Sequence, residues 1–312
     1  SDVCSSDLLL SGKSVHREFK MFYILKNHAV TVTLSDLGAE IVSVRSGQAD
    51  CEYIWQADPA YWQEHAPLLF PICGRLFEGH YRYGGKTYEM GLHGFARHLQ
   101  FAGRQEGADS AEFILTSNEQ TRKCYPFDFI LKVRYLLEGN RLGCEITVQN
   151  TGDGILPATV GAHPGFNVPL DSGRFDDWYL EFGEACSPDE LMFSDNGFFI
   201  TGKKKAFPIE NGKKLPLCHD LFYEHSIFIS RMARTVTLRS DKSERFVTLE
   251  YPDMPYLGLW HAQKSEAPYV CIEPWCGLPS FDGEVDDFAQ KCDMFRIPAG
   301  EEKTVRYAVT FG

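Results

Sequence analysis

The sequence lacks an excess of positive charge and any long uncharged apolar run. Its 312 residues carry 31 Lys and Arg against 43 Asp and Glu, a formal net charge of −12. This balance argues against nucleic acid or an anionic membrane surface as the main partner, although a local arginine pair can still bind a small anion. No apolar run approaches the roughly 20 residues that a membrane-spanning helix needs. We expect a cytoplasmic protein with a small-molecule partner, no nucleic acid and no membrane, present as a monomer or homodimer.

Several signatures of cofactor and nucleophile chemistry are also missing. The sequence contains no GxSxG elbow, no GxxxxGK[ST] phosphate loop and no HExxH zinc helix. Its ten cysteines form no CxxC pair, and its histidines are not spaced as a local metal site. Scattered cysteines in strand-like sequence are typical of free, mostly buried thiols in a reducing compartment. We therefore expect no metal and no other cofactor.

The first 20 residues are interpreted as a non-native leader. Residues 2–8 back-translate to a common sequencing-adapter end. The leucines at 8–10 are too few for a signal-peptide core and have no basic segment before them. Met21 is the expected true start, and residues 21–312 are expected to form a single domain.

Strand patterns dominate after this leader. Val30–Leu34 alternates with β-branched residues, and Phe129–Leu137 and Leu142–Val148 flank a hairpin turn at residues 138–141. Further strands are predicted at Glu40–Val44, Thr235–Leu238, Phe246–Glu250, Tyr256–Trp260 and Val305–Thr310.

Helical periodicity is nearly absent. A short helix is predicted at Pro59–His65 with Asp58 as its N-cap, and a helical turn or two at Asp286–Lys291. Many short strands without crossover helices predict an all-β fold, a large antiparallel β-sandwich with one or two short helices. In such a fold the ligand site is built from strand ends and loops around a concave sheet face.

Two segments carry the strongest candidates for acid–base chemistry. Glu273 ends an apolar strand and is followed by Pro274 and Trp275. Such surroundings raise the pKa of a carboxyl group and suit a general base, the alternative being a glutamate paired with an arginine across strands. His163 stands between two glycines and before a proline, which suits an imidazole held rigidly at a cleft.

Two further segments carry candidate binding residues. Arg75 follows a glycine in an apolar stretch, where its guanidinium needs an anionic or multi-acceptor partner or forms a structural salt bridge. His93 and Arg97 flank Gly94 and can converge at a loop end, although a histidine such as His93 is, taken alone, more often structural than a ligand group. The indole of Trp275, or of Trp260, offers a flat face for a sugar ring.

In this order, the segments resemble the aldose 1-epimerase (galactose mutarotase-like) superfamily, in particular its LacX-like branch. The resemblance runs from about Met21 to Gly312. Its clearest stretches are Gly38–Glu40, Tyr53–Gln56, Pro67–Leu76, His93–Arg97, His163–Phe166 and Cys271–Gly277. The resemblance implies a β-supersandwich and a metal-free active site on its concave face.

The resemblance also implies roles for four residues. Glu273 corresponds to the general base, His163 to the general acid, and Arg75 and His93 to substrate-orienting residues. Mutarotation removes the proton of the anomeric hydroxyl while the ring oxygen is protonated, so a carboxylate and an imidazolium meet its needs. The expected reaction is the interconversion of the α and β anomers of a hexose. His163 is expected to be protonated at the start.

One position departs from the family pattern. Where relatives commonly have an aspartate that binds a sugar hydroxyl, this sequence has His225, with Glu224 beside it. We expect His225 to replace that aspartate, which leaves the identity of the sugar open.

Three alternatives remain open at this point. In a hexose-6-phosphate mutarotase, Arg75 and Arg97 would bind the phosphate as a guanidinium pair. A sugar-binding or sensor module on the same fold would bind without catalysis. A glycosidase would need a second carboxylate opposite the base, for which the sequence offers Asp282, Glu284 and Asp287.

Overall fold

Antiparallel strands are the main regular element of this computed structural model, which describes residues 20–312. The predicted leader therefore lies outside the described residues, except for Lys20. The strands are β1 Phe22–Lys26, β2 Val30–Ser35, β3 Glu40–Ser46, β4 Leu68–Leu69, β5 His80–Tyr83, β6 Lys86–Glu89, β7 Ala102–Glu106, β8 Ser110–Thr116, β9 Phe129–Glu138, β10 Arg141–Asn150, β11 Leu156–Ala158, β12 Gly161–Ala162, β13 Gly165–Asn167, β14 Trp178–Phe182, β15 Asp189–Phe193, β16 Ile200–Ala206, β17 Lys214–Pro216, β18 Ile227–Ser230, β19 Thr235–Ser240, β20 Phe246–Glu250, β21 Tyr256–Trp260, β22 Tyr269–Trp275, β23 Phe295–Ile297 and β24 Glu302–Phe311.

Two large sheets form the frame. The first has nine strands in the order β17-β14-β19-β20-β24-β10-β9-β8-β7. The second has eight strands, in the order β16-β15-β18-β21-β22-β12-β4 with β13 paired to β22. A three-stranded sheet (β1-β2-β3) and two strand pairs (β11-β23, β5-β6) complete the described fold.

Alternating side chains explain why these sheets pack together. Along β9 buried positions alternate with more exposed ones, so each strand presents one apolar face. The largest core cluster combines Leu131 and Val133 of β9 with Val270 and Ile272 of β22, which belong to different sheets. The inner faces of the two sheets therefore share one core, and the predicted antiparallel β-sandwich is confirmed.

The predicted strands are confirmed with small shifts at their ends. The segments predicted at Phe246–Glu250 and Tyr256–Trp260 match β20 and β21 at both ends. The predicted hairpin is β9–β10, whose register pairs Arg141 with Glu138. A period of two in apolar residues was sufficient to identify these elements.

The helix predicted at Pro59–His65 is wrong. The Asp58 side chain does accept the backbone N–H of Ala60 at 2.9 Å, and its carbonyl accepts from Tyr61 and Trp62. The segment then leaves the helical path after a single turn. Glu40, which accepts the N–H groups of His65 and Ala66, holds this loop instead.

The helical segments of the described chain are the α-helix α1 Glu119–Cys124 and short 3-10 turns at Phe77–Gly79, Ala96–His98, Phe175–Asp177 and His219–Phe222. The sequence interpretation missed α1, which Asn118 caps by accepting from the N–H of Thr121. At 287–291 a single turn forms where a turn or two was predicted. No helix among residues 20–312 is both long and apolar enough to cross a membrane.

The cysteines agree with the expectation of free thiols. All nine within residues 20–312 are free, and five of these are buried. Two of them, Cys271 on β22 and Cys276 directly after it, lie close to the site described next.

Candidate active site

Strand β22 is buried on both faces, which explains its continuous apolar sequence. Val270 and Ile272 point into the main core. Because side chains alternate along a strand, Cys271, Glu273 and Trp275 point to the opposite face, where smaller aromatic clusters cover them. The functional side chains therefore lie on the second face of a central strand.

The register of two short strands brings His163 to Glu273. β12 pairs Gly161 with Trp275, and β13 pairs Gly165 with Cys271. His163 lies midway between these two pairs and therefore opposite Glu273. Its Nε2 is 3.3 Å from Glu273 Oε2, and both residues are buried, with 8% and 1% exposure.

Burial dominates the electrostatics of this pair. Desolvation raises the pKa of Glu273 well above its ordinary value of 4.5. The pKa of His163 falls from 6.5 to about 3, mainly because of desolvation and in smaller part because of the positive charge of Arg97. Without a ligand the pair therefore favours its neutral form, a protonated carboxyl beside a neutral imidazole. This differs from the expected imidazolium, because the sequence alone does not give the depth of burial.

His93 is fixed in one tautomer by the backbone. Its Nδ1 accepts the N–H of Gly74 at 3.0 Å, so in the neutral ring the proton is on Nε2. Desolvation, followed by the nearby His163, Arg97 and Arg75, lowers the pKa of His93 well below its ordinary value. His93 is therefore a neutral hydrogen-bond donor, and its ring centroid lies 5.5 Å from that of His163.

The turn that presents His93 requires a glycine next to it. Gly94 has φ of 74°, and a Cβ there would lie 2.2 Å from the carbonyl oxygen of Phe70. No other residue fits that space. The predicted close backbone approach at Gly94 is thus present, against Phe70 at the end of the β4 segment.

Two arginines lie at the cavity in different surroundings. Arg97 is largely buried, and its Nη1 donates to both carboxylate oxygens of Glu64, at 2.8 and 3.1 Å. Arg75 is exposed, and its guanidinium lies over the ring of Phe198 at 4.6 Å from the centroid. The guanidinium of Arg97 thus faces an anion of the protein itself.

Aromatic rings surround the acid–base pair. The Trp62 ring lies 5.0 Å from that of His163 and meets Trp260 edge to face at 5.5 Å. Trp275 forms part of the wall, and its Nε1 is buried without a hydrogen-bond partner among the described residues. Flat apolar faces beside unused polar atoms suit a ring that carries hydroxyl groups.

These residues line one cavity of about 350 Å³. It brings together most of the predicted site residues: Arg75, His93, Arg97, His163, Trp260, Glu273 and Trp275. His225 is outside the lining, with its Nε2 3.8 Å from Glu190 Oε1, and the next residue, Ser226, lines the cavity instead.

The candidate second carboxylates of a glycosidase are also elsewhere. Asp282, Glu284 and Asp287 are exposed and do not line the cavity. The carboxyl groups that do line it are those of Glu273 and Glu64, and Glu64 is held by Arg97.

Seven polar or aromatic residues of the lining are not among those predicted from the sequence: Trp62, Glu64, Phe193, Phe198, Ser226, Phe228 and Gln263. Trp62 and Glu64 follow the Asp58-Pro59 turn, whose capping pattern is the same whether or not a helix continues after it. Ser226 directly follows the predicted residue His225. Gln263 follows the end of β21 in a loop with no local pattern.

A group of potential metal ligands lies within the site. Cys271 contributes its Sγ, His163 a ring nitrogen and Glu273 a carboxylate oxygen, and these atoms lie within 4.8 Å of one another. The sequence spacing did not reveal this group, because its members come from different strands.

The fold and the cavity define a galactose mutarotase-like β-sandwich protein. A galactose mutarotase related enzyme from Lactobacillus acidophilus superposes with a TM-score of 0.89 at 36% identity, covering 94% of this chain and 97% of that one. A galactose mutarotase-like protein from Lactobacillus casei superposes with a TM-score of 0.88 at 32% identity, covering 94% and 100%.

Sequence comparisons agree with these structures. The chromosomal LacX protein of Lactococcus lactis subsp. lactis is 36% identical over 296 residues, which are 92% of this chain and 98% of LacX. The family model for aldose 1-epimerase matches residues 21–282. The chain belongs to the aldose 1-epimerase family, and the predicted resemblance is confirmed.

Proposed function

We propose that this protein is a mutarotase that interconverts the α and β anomers of an unphosphorylated aldohexose. The 3.3 Å contact between His163 and Glu273 at the floor of an aromatic cavity carries the proposal. Membership of the aldose 1-epimerase family supports the reaction type.

The proposed reaction uses the pair as a unit that holds one proton. Glu273 takes the proton of the anomeric hydroxyl while His163 protonates the ring oxygen, and the C1–O5 bond opens to the free aldehyde. Rotation about C1–C2 and the reverse transfers close the ring to the other anomer. Ring opening leaves the carboxyl protonated and the imidazole neutral, which is the form that burial favours.

Binding of the sugar must first generate the charged form of the pair. In the ligand-free site the proton lies on Glu273, and its transfer to His163 crosses only the 3.3 Å contact. Sugar hydroxyl groups bring polar partners to both residues, which lowers the cost of separated charges in a buried site.

The remaining residues are proposed to bind and orient the sugar. The Nε2–H of His93 is the proposed donor to ring or hydroxyl oxygens, and the buried Nε1–H of Trp275 has no partner among the described residues. Trp62 and Trp260 provide faces for the C–H side of the ring. Ser226 is a better candidate than His225 for hydroxyl recognition, because it lines the cavity.

The charge of Glu64 favours a neutral sugar over a 6-phosphate. Two arginines in the cavity suit a phosphate dianion, which keeps a hexose-6-phosphate mutarotase as the second candidate. Glu64, however, already pairs with Arg97 and would repel a phosphate placed against it.

Anomer exchange tests the proposal directly. Polarimetry or NMR exchange spectroscopy would compare glucose, galactose and their 6-phosphates with the native protein and with His163→Asn. We expect faster exchange of at least one neutral aldose with the native protein alone. Faster exchange of the 6-phosphates only would favour the second candidate, and binding without acceleration would establish a sugar-binding module.

A further inference from the structure

Cys271 lies against the acid–base pair but has no part in the proposed mutarotation. It stands two residues before Glu273 on β22, so both side chains project from the same face of the strand. β13 pairs it with Gly165, two residues after His163. Its thiol is fully buried. The pair thus has a third, sulfur-containing neighbour, which is not itself among the residues that line the cavity.

The three side chains offer a donor set that fits a soft divalent cation. A thiolate, an imidazole and a carboxylate are the ligands that Zn²⁺ takes in open sites, with bonds of about 2.0–2.3 Å and a fourth position left for water. Donor atoms around such an ion stand roughly 3.3–3.6 Å apart, as those bond lengths require in a tetrahedron. The observed separations, within 4.8 Å, need an inward movement of about 1 Å or less.

We propose that Cys271, His163 and Glu273 form a binding site for a soft divalent cation such as Zn²⁺ or Cd²⁺, which reversibly blocks the acid–base pair. The geometry of the three donor atoms supports binding of the cation. Inhibition by the bound cation additionally rests on the proposed mutarotase function. The ion acts as an inhibitor and takes no part in the reaction.

The cation can be bound in this buried site because its ligands balance its charge. Two protons leave when the ion binds, one from the thiol and one from the His163–Glu273 pair. A divalent ion with one thiolate, one carboxylate and a neutral imidazole then has no net charge, so the buried site holds no uncompensated ion. Because His163 and Glu273 line the cavity, water or a sugar hydroxyl in the cavity would complete the coordination.

The donor set also predicts selectivity. Thiolate ligands favour Zn²⁺ and Cd²⁺, whereas Mg²⁺ and Ca²⁺ prefer six or more oxygen ligands. Excess Mg²⁺ is therefore expected neither to bind here nor to inhibit.

Cadmium titration tests the site with two independent readouts. The ultraviolet absorption of a thiolate–Cd²⁺ bond reports binding, and polarimetry of the same samples reports mutarotation. Cys271→Ser removes the thiolate while keeping the side-chain volume. Cys276→Ser is the matched control, because Cys276 is also buried but its thiol is directed at the carbonyl of Asp253.

We expect one equivalent of Cd²⁺ to produce the absorption band and to stop mutarotation in the native protein and in Cys276→Ser, with recovery on chelation. Substituting a residue that only supports a metal ligand already lowers metal affinity by about 10–100-fold. Loss of a ligand itself, in Cys271→Ser, should therefore raise the half-inhibitory concentration of Cd²⁺ by about 100-fold. It should retain mutarotation and lose the band.

Other outcomes of the titration distinguish the proposed metal site from the proposed mutarotase function. A native protein without the band, or equal inhibition of Cys271→Ser, would overturn the metal site while leaving mutarotation intact. A band that Cys271→Ser abolishes, in a protein that accelerates no anomer exchange, would support the metal site and refute the proposed function.

Discussion

Gly258 lies directly opposite Glu273 in the ladder between β21 and β22. A Cβ at Gly258 would stand 3.2 Å from Glu273 Oε2 and 2.8 Å from the ring of Phe228. The absence of a side chain at Gly258 therefore leaves the space in which the carboxyl group meets His163.

Gly258→Ala is expected to reduce kcat more than it reduces stability. The added methyl displaces the carboxyl group from its 3.3 Å contact, while overpacking of this kind costs about 1–3 kcal/mol. Anomer-exchange kinetics and thermal unfolding measure the two effects. Gly143→Ala is the control, because a Cβ there meets its neighbours at 3.7 Å or more. Equal effects of both substitutions would contradict the role of Gly258.

Removing either member of the acid–base pair should abolish most activity. Glu273→Gln and His163→Asn each delete one proton-transferring group, and each loss is expected to lower kcat by about 100-fold or more. The double variant should be little worse than either single one, because the pair acts as a unit. Near-native exchange rates in a folded single variant would remove that residue from the mechanism.

The pH dependence of kcat/KM should be a broad bell. The active pair holds one proton, so activity is lost when a second proton binds at low pH or when the proton leaves at high pH. Burial lowers the pKa of His163 to about 3, which moves the acid limb below the ordinary 6.5 of histidine. Burial raises the pKa of Glu273, which moves the alkaline limb above 4.5. An acid limb at or above pH 6.5 would contradict the neutral resting pair.

Glu64→Gln should improve the use of sugar 6-phosphates. The substitution keeps the shape of the side chain but removes the charge that Arg97 faces. We expect KM for a 6-phosphate to fall by about tenfold, a difference of about 1.4 kcal/mol. The neutral sugar serves as the internal control and should change much less. An unchanged ratio of the two KM values would show that Glu64 does not select against phosphate.

The fold was predictable because the strand signal is local. The alternation at Phe246–Glu250 and the short apolar run at Tyr256–Trp260 predict both strands with their bounds. The Asp58-Pro59 signal gave the wrong helix, because a capping turn looks the same whether or not the chain continues as a helix. Its path is decided by Glu40, which is distant in sequence.

The site was less predictable because its geometry depends on pairings between distant strands. His163 and Glu273 were recognised from their segments, but their contact follows from the pairing of Gly161 with Trp275 and of Gly165 with Cys271. The cavity positions of Glu64 and Ser226 likewise depend on how distant segments pack, which no local pattern shows. The protonation of the pair also needed the depth of burial, which no short segment reveals.

The burial of β22 on both faces has a consequence for how the protein loses activity. A strand covered on both faces exchanges its amide hydrogens only when the surrounding sheets separate, so its local opening costs nearly as much as global unfolding. Heat or denaturant should therefore inactivate the protein at the same midpoint at which it unfolds, with no inactive but folded stage. The loop that carries Trp62 and Glu64, which has no strand ladder, should exchange earlier.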